Sequence, residues 1–510
     1  MSTFRRAQSQ AHPNKTNTLF VGIIGVLILI VSLQVWLLTA VLNTALGGDR
    51  AIVWPAFYAS LALFVGGAGL LRFLPQPIRG VLVVEKAEAF LRAALAWRTL
   101  VISATSLALA FAVWFMWSAI SVKLAGAGFA ISPQEKFWLT AAPVVLGSLL
   151  RIPYGLIVSR FGSRNAYTAV TLLMLVPCLG TGFVLRDPHA SFGTLLFWAA
   201  LTGIAGANFA TSMATVTLWF PKRLQGSALG INGLGNLGVT IAQFTIPAVI
   251  GLAMFGALSG DALSLRSAGG GTQSVWLSNA AFVWIPLILV SAAALWFGTE
   301  NFPQPSKSLA SQLVVARRLH TWILSTLYFL TFGAFVAMGA SLPLIINEVF
   351  AKAPGGAPNP LFFSPFAVLI ATLTRPLGGW LADKWSAGAT TAASIATMGV
   401  CAFSLSQFLE PDAFTGFFWT IMILCAAAGL GNGSIFKIIP TVMGAEAGPV
   451  IGFVSCLGAL GGFFPPLLLG WCLHRFGSPA WAYTAMALFS LGCFALNWVF
   501  YWRRVSPTRC

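Results

Sequence analysis

LGSLLRIPYGLIVSRFGSR, residues 146–164, places one arginine, Arg151, inside a hydrophobic run. A second stretch of the same build, IATLTRPLGGWLADK at 370–384, places Arg375 in a similar position. An arginine at the centre of a bilayer costs ~2.5–3.5 kcal/mol even on the lenient insertion scale, so two of them call for a functional explanation. We read them as the floor and ceiling of a site for a small anion.

The surrounding chain fits a bilayer. Of its residues, 58% are hydrophobic and only 8% are charged. Apolar runs of about 18 residues or more, enough to span the hydrocarbon layer, recur from end to end. A chain in lipid must satisfy its backbone polar groups internally, and the alternating pattern of a barrel strand is missing. The fold class is therefore an all-α polytopic membrane protein. Spans are expected near 18–46, 52–74, 99–122, 136–158, 166–185, 193–220, 226–254, 276–298, 320–347, 361–381, 390–409, 413–440, 447–473 and 480–502. The first run begins at about residue 18 with no small-residue cleavage site, which argues against a removable signal peptide.

The net charge of +17 could suggest a nucleic-acid partner, but its distribution argues otherwise. With both termini cytoplasmic, 19 of the 29 Lys and Arg residues fall on the cytoplasmic side. Seven fall outside (Arg50, Lys123, Lys136, Arg186, Arg266, Lys352 and Arg475), and Arg151, Arg375 and Lys437 lie at membrane depth. That bias is the positive-inside rule, so most of the basicity is topological. It implies a multi-pass protein of the cytoplasmic (inner) membrane in contact with anionic lipid, with no nucleic acid. Six of the seven cysteines lie in apolar runs and Cys510 is the last residue. No CxxC pair or Cys/His spacing suggests a metal, and no motif suggests a cofactor.

Four regions follow. Residues 1–98 hold two spans and a basic, amphipathic linker (75–98) suited to lying along the cytoplasmic leaflet, though a plain connector fits as well. Residues 99–298 and 320–510 are two six-helix halves, joined by the polar segment 299–319. The halves resemble each other: Arg151 to Arg375 is 224 residues, Asn208 to Asn432 is again 224, and Gly226 to Gly448 is 222. Near-equal offsets at three landmarks indicate a duplicated six-helix unit, and such repeats place substrate at their mutual interface.

GSALGINGLGNLG (226–238) and GPVIGFVSCLGALGG (448–462) space small residues three to four apart, which lets helices approach closely and slide. Gly230, Gly233, Gly235, Gly238, Gly452, Gly458 and Gly461 are the candidate packing or gating glycines; static close packing is the plainer alternative. After each arginine comes a similar loop, Gly155-x-x-x-Ser159-Arg160 and Gly379-x-x-x-Asp383-Lys384. These resemble the loop between the second and third helices of each half in the major facilitator superfamily, with Ser159 where that family usually has an aspartate.

LLRIPYG, GANFATSM, WFPK, ALGINGLGNLG and GFVSCLGALGG together resemble the nitrate/nitrite porter (NarK-type) family of that superfamily, over about residues 99–502. The resemblance implies a major facilitator fold carrying two extra N-terminal helices. It implies nitrate and nitrite as substrates, held by Arg151 and Arg375. Phe209 would be an aromatic wall, Tyr328 a ring with a hydroxyl, Phe332 a further ring and Asn236, with Asn208, a polar neighbour. Independently, nitrate is planar with three acceptor oxygens, and a guanidinium is a planar fork that donates two bonds. Core packing for the rings, and interhelical hydrogen bonding for the two asparagines, remain alternatives.

All twelve acids fall in expected loops or span ends, and no histidine is deep. Two facing cations repel, and at 4 Å and an effective dielectric of 20 the repulsion is ~4 kcal/mol. An anion between them reverses the sign, which favours exchange of nitrate for nitrite over return of an empty carrier. Lys437 is the exception. A desolvated lysine could lose its proton and couple nitrate import to protons, whereas one that snorkels to the surface would not. A non-transporting anion sensor is the further alternative. The chain is expected to act as a monomer, with a membrane partner conceivable at its two N-terminal helices. It shows no nucleophile–base constellation of an enzyme.

Overall fold

Alanine, leucine and glutamate dominate residues 84–98, and neither proline nor glycine interrupts the sequence from there to Leu124. These are strong helix formers, and α1 runs unbroken over Val84–Leu124. The expected boundary at residue 98 is thus crossed by one helix. The structure, a computed structural model, describes residues 59–63, 65–66, 84–220, 228–266, 272–301, 314–351, 353, 356–444, 447–503 and 508. The expected span at 18–46 lies outside them; of 52–74, only 59–63 and 65–66 are described, as helix.

Ser132 caps α2 through a reciprocal box with Glu135, and Pro133 opens it. The helices after α1 are α2 Pro133–Val158, α3 Ser163–Val184 and α4 Phe192–Trp219. A 3-10 stretch, Gly233–Leu237, then leads into α5 Gly238–Val249, followed by α6 Asn279–Gly298. The second half holds α7 Leu319–Val349, α8 Pro360–Lys384, α9 Ala387–Leu405, α10 Pro411–Met443, α11 Pro449–Phe476 and α12 Ala480–Trp502. Eleven of these are long and apolar enough to cross a membrane among the described residues; the fifth column, around α5, is broken by its glycines. Between α5 and α6, β1 Leu263–Arg266 pairs antiparallel with β2 Thr272–Val275, Leu263 facing Val275. The end of the bundle bearing this pair is the hairpin face. The opposite end, where α6 finishes and α7 begins, is the linker face.

Packing follows the duplication. α1 lies on α5 as α7 lies on α11, α2 on α4 as α8 on α10, and α3 on α6 as α9 on α12. Between halves, α5 packs on α8, α2 on α11, and α1 on α7, the exchange expected of a pseudo-twofold axis. Close approach needs glycine at the tightest of these crossings. A Cβ on Gly238 would collide with the Ala108 carbonyl oxygen, and one on Gly461 with that of Phe329.

Candidate site between the halves

Pro153 has no N–H to offer the Leu149 carbonyl, and its ring crowds that oxygen. The regular helix stops at Leu149 and resumes at Arg151, so the arginine side chain leaves α2 at a break. Arg151 is 2% exposed. Its guanidinium carbon lies 4.7 Å from the centre of the Phe209 ring, 5.4 Å from Phe332 and 5.5 Å from Trp114. Nη1 donates to the Ser455 carbonyl of the other half at 2.9 Å.

Arg375 leaves α8 without a break and is half-buried. Nη2 donates to the Tyr328 hydroxyl at 3.2 Å, and its guanidinium carbon lies 5.2 Å from Phe436 and 5.9 Å from Phe332. Phe332 therefore serves both cations. It stacks on Tyr328 with centroids 5.0 Å apart and planes 5° from parallel, one turn along α7. Rings this close offset part of the cost of dehydrating a guanidinium through their negative faces.

The balance of donors is incomplete. Arg151 Nε and Nη2 and Arg375 Nη1 are buried with no hydrogen-bond partner in the protein. Among the described residues, the ion pairs are Lys136–Glu348 and Lys437–Asp383, and neither involves these arginines. Two cations with three buried, unfilled donor nitrogens can hold an anion small and planar enough to fit among aromatic rings.

Of the candidate residues, Arg151, Arg375, Phe209, Tyr328 and Phe332 come together. Asn208 turns toward α3, its amide nitrogen 3.5 Å from the Met174 sulfur. Asn236 is buried in the 3-10 stretch, and its amide oxygen, like that of Asn208, has no partner. The glycines divide. Gly235, Gly238, Gly458 and Gly461 sit where a Cβ would collide, with Leu107, Ala108, Tyr328 and Phe329 respectively. A Cβ on Gly233 would lie 4.0 Å from the Arg375 guanidinium carbon, while one on Gly230 or Gly452 would meet nothing within 4 Å, so close packing does not account for them.

Lys437 departs from the deep position. It pairs with Asp383 at the linker-face end of α8, its side chain 46% exposed, so it is not a desolvated lysine beside the arginines. It stands five residues past Asn432, towards the linker-face end of α10, and its long side chain reaches Asp383 there. The side chain of Ser159 lies outside the described residues.

Three contributors escaped the sequence reading: Trp114, Phe436 and the Ser455 carbonyl. Trp114 stands in FAVWFMW (111–117), and the glycines that make room for it, Gly147 and Gly206, are on two other helices. Its indole donates to the Pro143 carbonyl at 3.0 Å, which fixes the ring against Arg151. Phe436 was legible as the residue four after Asn432. A backbone carbonyl leaves no signal in sequence.

Hydrogen bonds also cross between halves on the hairpin-face side of the arginines. Gln243, fully buried, donates to the Gly339 carbonyl at 2.9 Å and to Ser118 at 3.3 Å, and accepts from Ser364 at 3.4 Å. Thr240 donates to the Pro365 carbonyl at 3.3 Å. Nearer the hairpin face, Lys136 and Glu348 pair at 2.7 Å with side chains 7% and 17% exposed.

Two six-helix halves about a pseudo-twofold axis, with unpaired cations at their interface, have the build of a membrane carrier. The family model described as Major Facilitator Superfamily matches residues 102–466, and one described as Family of unknown function (DUF6755) matches residues 4–78. A probable nitrate/nitrite antiporter NarK2 of Thermus thermophilus is 36% identical over 423 residues, covering 82% of this chain and 95% of its own. The nitrate/nitrite transporter NarU of Escherichia coli (strain K12) is 36% identical over 438 residues, covering 80% and 92%. A nitrite extrusion protein of Bacillus subtilis is 31% identical, covering 79% and 94%. A bacterial homolog to the human lysosomal transporter Spinster, in an inward-facing and occupied conformation, superposes with a TM-score of 0.55 at 17% identity. It covers 78% of this chain and 95% of its own, which speaks for the fold alone. The chain belongs to the major facilitator superfamily and, within it, to the nitrate/nitrite porters of the NarK type.

Proposed function

We propose that this protein exchanges nitrate and nitrite across the cytoplasmic membrane by alternating access, with both termini and the linker face cytoplasmic. The observation that carries the reading is the set of unfilled donors, Arg151 Nε and Nη2 and Arg375 Nη1, which pair with no carboxylate among the described residues. Nitrate supplies three acceptor oxygens in a plane, and Phe332 and Phe209 cover its faces. Each arginine belongs to one half, so the bound anion draws the halves together, whereas the empty site leaves two cations facing each other. An empty carrier then reorients slowly, and a loaded one readily. The relatives named as nitrate/nitrite antiporters and transporters support the choice of anions.

Exchange is favoured over proton-coupled import because Lys437, the one deep basic candidate for a proton carrier, is paired near the surface. The hairpin-face bonds of Gln243, Thr240 and Lys136 hold the halves together on what is then the outer side. Proteoliposomes test the proposal. Labelled nitrate should enter vesicles loaded with nitrite or nitrate at least tenfold faster than anion-free vesicles. Rapid net uptake into anion-free vesicles, driven by a pH gradient alone, would overturn it.

A further inference from the structure

The N-terminal half holds more buried polar groups than its site requires. On α4, Asn208, Thr211, Ser212 and Thr215 share one face, all at most 1% exposed. Asn232 faces them: its amide nitrogen donates to Ser212 at 2.7 Å and lies 3.5 Å from the Met213 sulfur. Ser212 in turn bonds Ser103 of α1 at 2.9 Å, and the Tyr167 hydroxyl donates to the Ser103 carbonyl at 3.0 Å. Along this seam the amide oxygens of Asn208, Asn232 and Asn236, and the hydroxyls of Thr99, Thr211 and Thr215, have no partner in the protein.

The three amide oxygens matter most. A threonine hydroxyl can turn to a carbonyl of its own helix, but an amide oxygen accepts only, and needs a donor brought to it. Left bare, each pays the full cost of its desolvation. Exchanging the oxygen and nitrogen of an Asn moves the deficit without removing it. In the duplicate the residues 224 later than Thr211, Ser212 and Thr215 are the apolar Ile435, Phe436 and Ile439, while Asn432, the counterpart of Asn208, keeps a buried amide oxygen without a partner.

We propose that α1, α4 and the helical column leading into α5 enclose a file of buried water sites in the N-terminal half. It runs from Asn208 and Asn236 to Thr99 and Thr215 nearer the linker face. Water supplies the donors that the asparagine oxygens lack and the acceptors that the threonine hydroxyls lack, and buried water of this kind makes about three hydrogen bonds. From Asn208 to Thr215 the file is about 10 Å long, at 1.5 Å per helical residue. The inference is independent of which anion the protein carries.

X-ray radiolytic footprinting on the intact protein tests it, because hydroxyl radicals form from bound water and oxidise an adjacent methionine. Met174, 0% exposed, touches Asn208; Met116 and Met398, also 0% exposed, lie in the apolar core as internal controls. Met174 should be oxidised at least fivefold faster than either control. Equal protection of all three would overturn the proposal. In the double variant T211V/T215V, Met174 labelling should fall at least threefold while nitrate counterflow persists. Labelling that stays at the parent level would show that these hydroxyls hold no water.

Discussion

Arg151 and Arg375 occupy matching positions in a duplicated chain, yet they are held in different ways. Arg151 leaves a broken helix, is sealed among Trp114, Phe209 and Phe332, and bonds the opposite half at Ser455. Arg375 leaves a continuous helix, remains half-buried, and bonds Tyr328 of its own half. Duplication preserved the charges, and the surroundings diverged. One cation ties the halves together; the other is oriented within its own half and stays more open. Arg151 should therefore tolerate change less than Arg375.

Lysine substitution tests this most severely, since an ammonium keeps the charge but cannot form the two-pronged contact. Arg151→Lys should lower nitrate exchange in proteoliposomes at least 100-fold and Arg375→Lys about tenfold; equal losses would break the comparison.

The glycines sharpen the same contrast through stability. Gly238→Ala drives a methyl into the Ala108 carbonyl and should cost about 1–3 kcal/mol, as overpacked sites do. Gly230→Ala and Gly452→Ala meet open space and should leave the Tm in detergent unchanged, or raise it slightly. A Gly238→Ala protein as stable as these two would show that α1 and α5 do not meet so closely.

Gln243→Leu removes the hydrogen bonds that join α1, α5, α7 and α8 on the hairpin side. At roughly 0.5–1.5 kcal/mol for a hydrogen bond, the outward-open population should rise about tenfold. Alkylation of cysteines introduced on the hairpin-face side of the arginines reads that population, and an unaltered rate would remove Gln243 from the closure.

Tyr328→Phe deletes the hydroxyl on Arg375 while keeping the ring stacked on Phe332. Affinity for nitrate should weaken a few-fold with little change in the maximal rate. Lys437→Gln, which breaks only an exposed pair, should leave the pH dependence of exchange unaltered.

Much of this molecule was fixed by properties that act locally along the chain. A run of apolar residues long enough for a bilayer is a helix wherever it is read, and the cost of burying Arg151 and Arg375 made them stand out without any neighbour in view. Offsets of 224 residues disclosed the duplication for the same reason. Which groups meet was decided by how the helices turn and pack. Phe332 faces both arginines, Trp114 fills the space left by Gly147 and Gly206, and Lys437 swings out to Asp383. The rotation of a helix about its axis is settled by contacts far apart in sequence, and in a chain apolar on nearly every side periodicity offers little to set it.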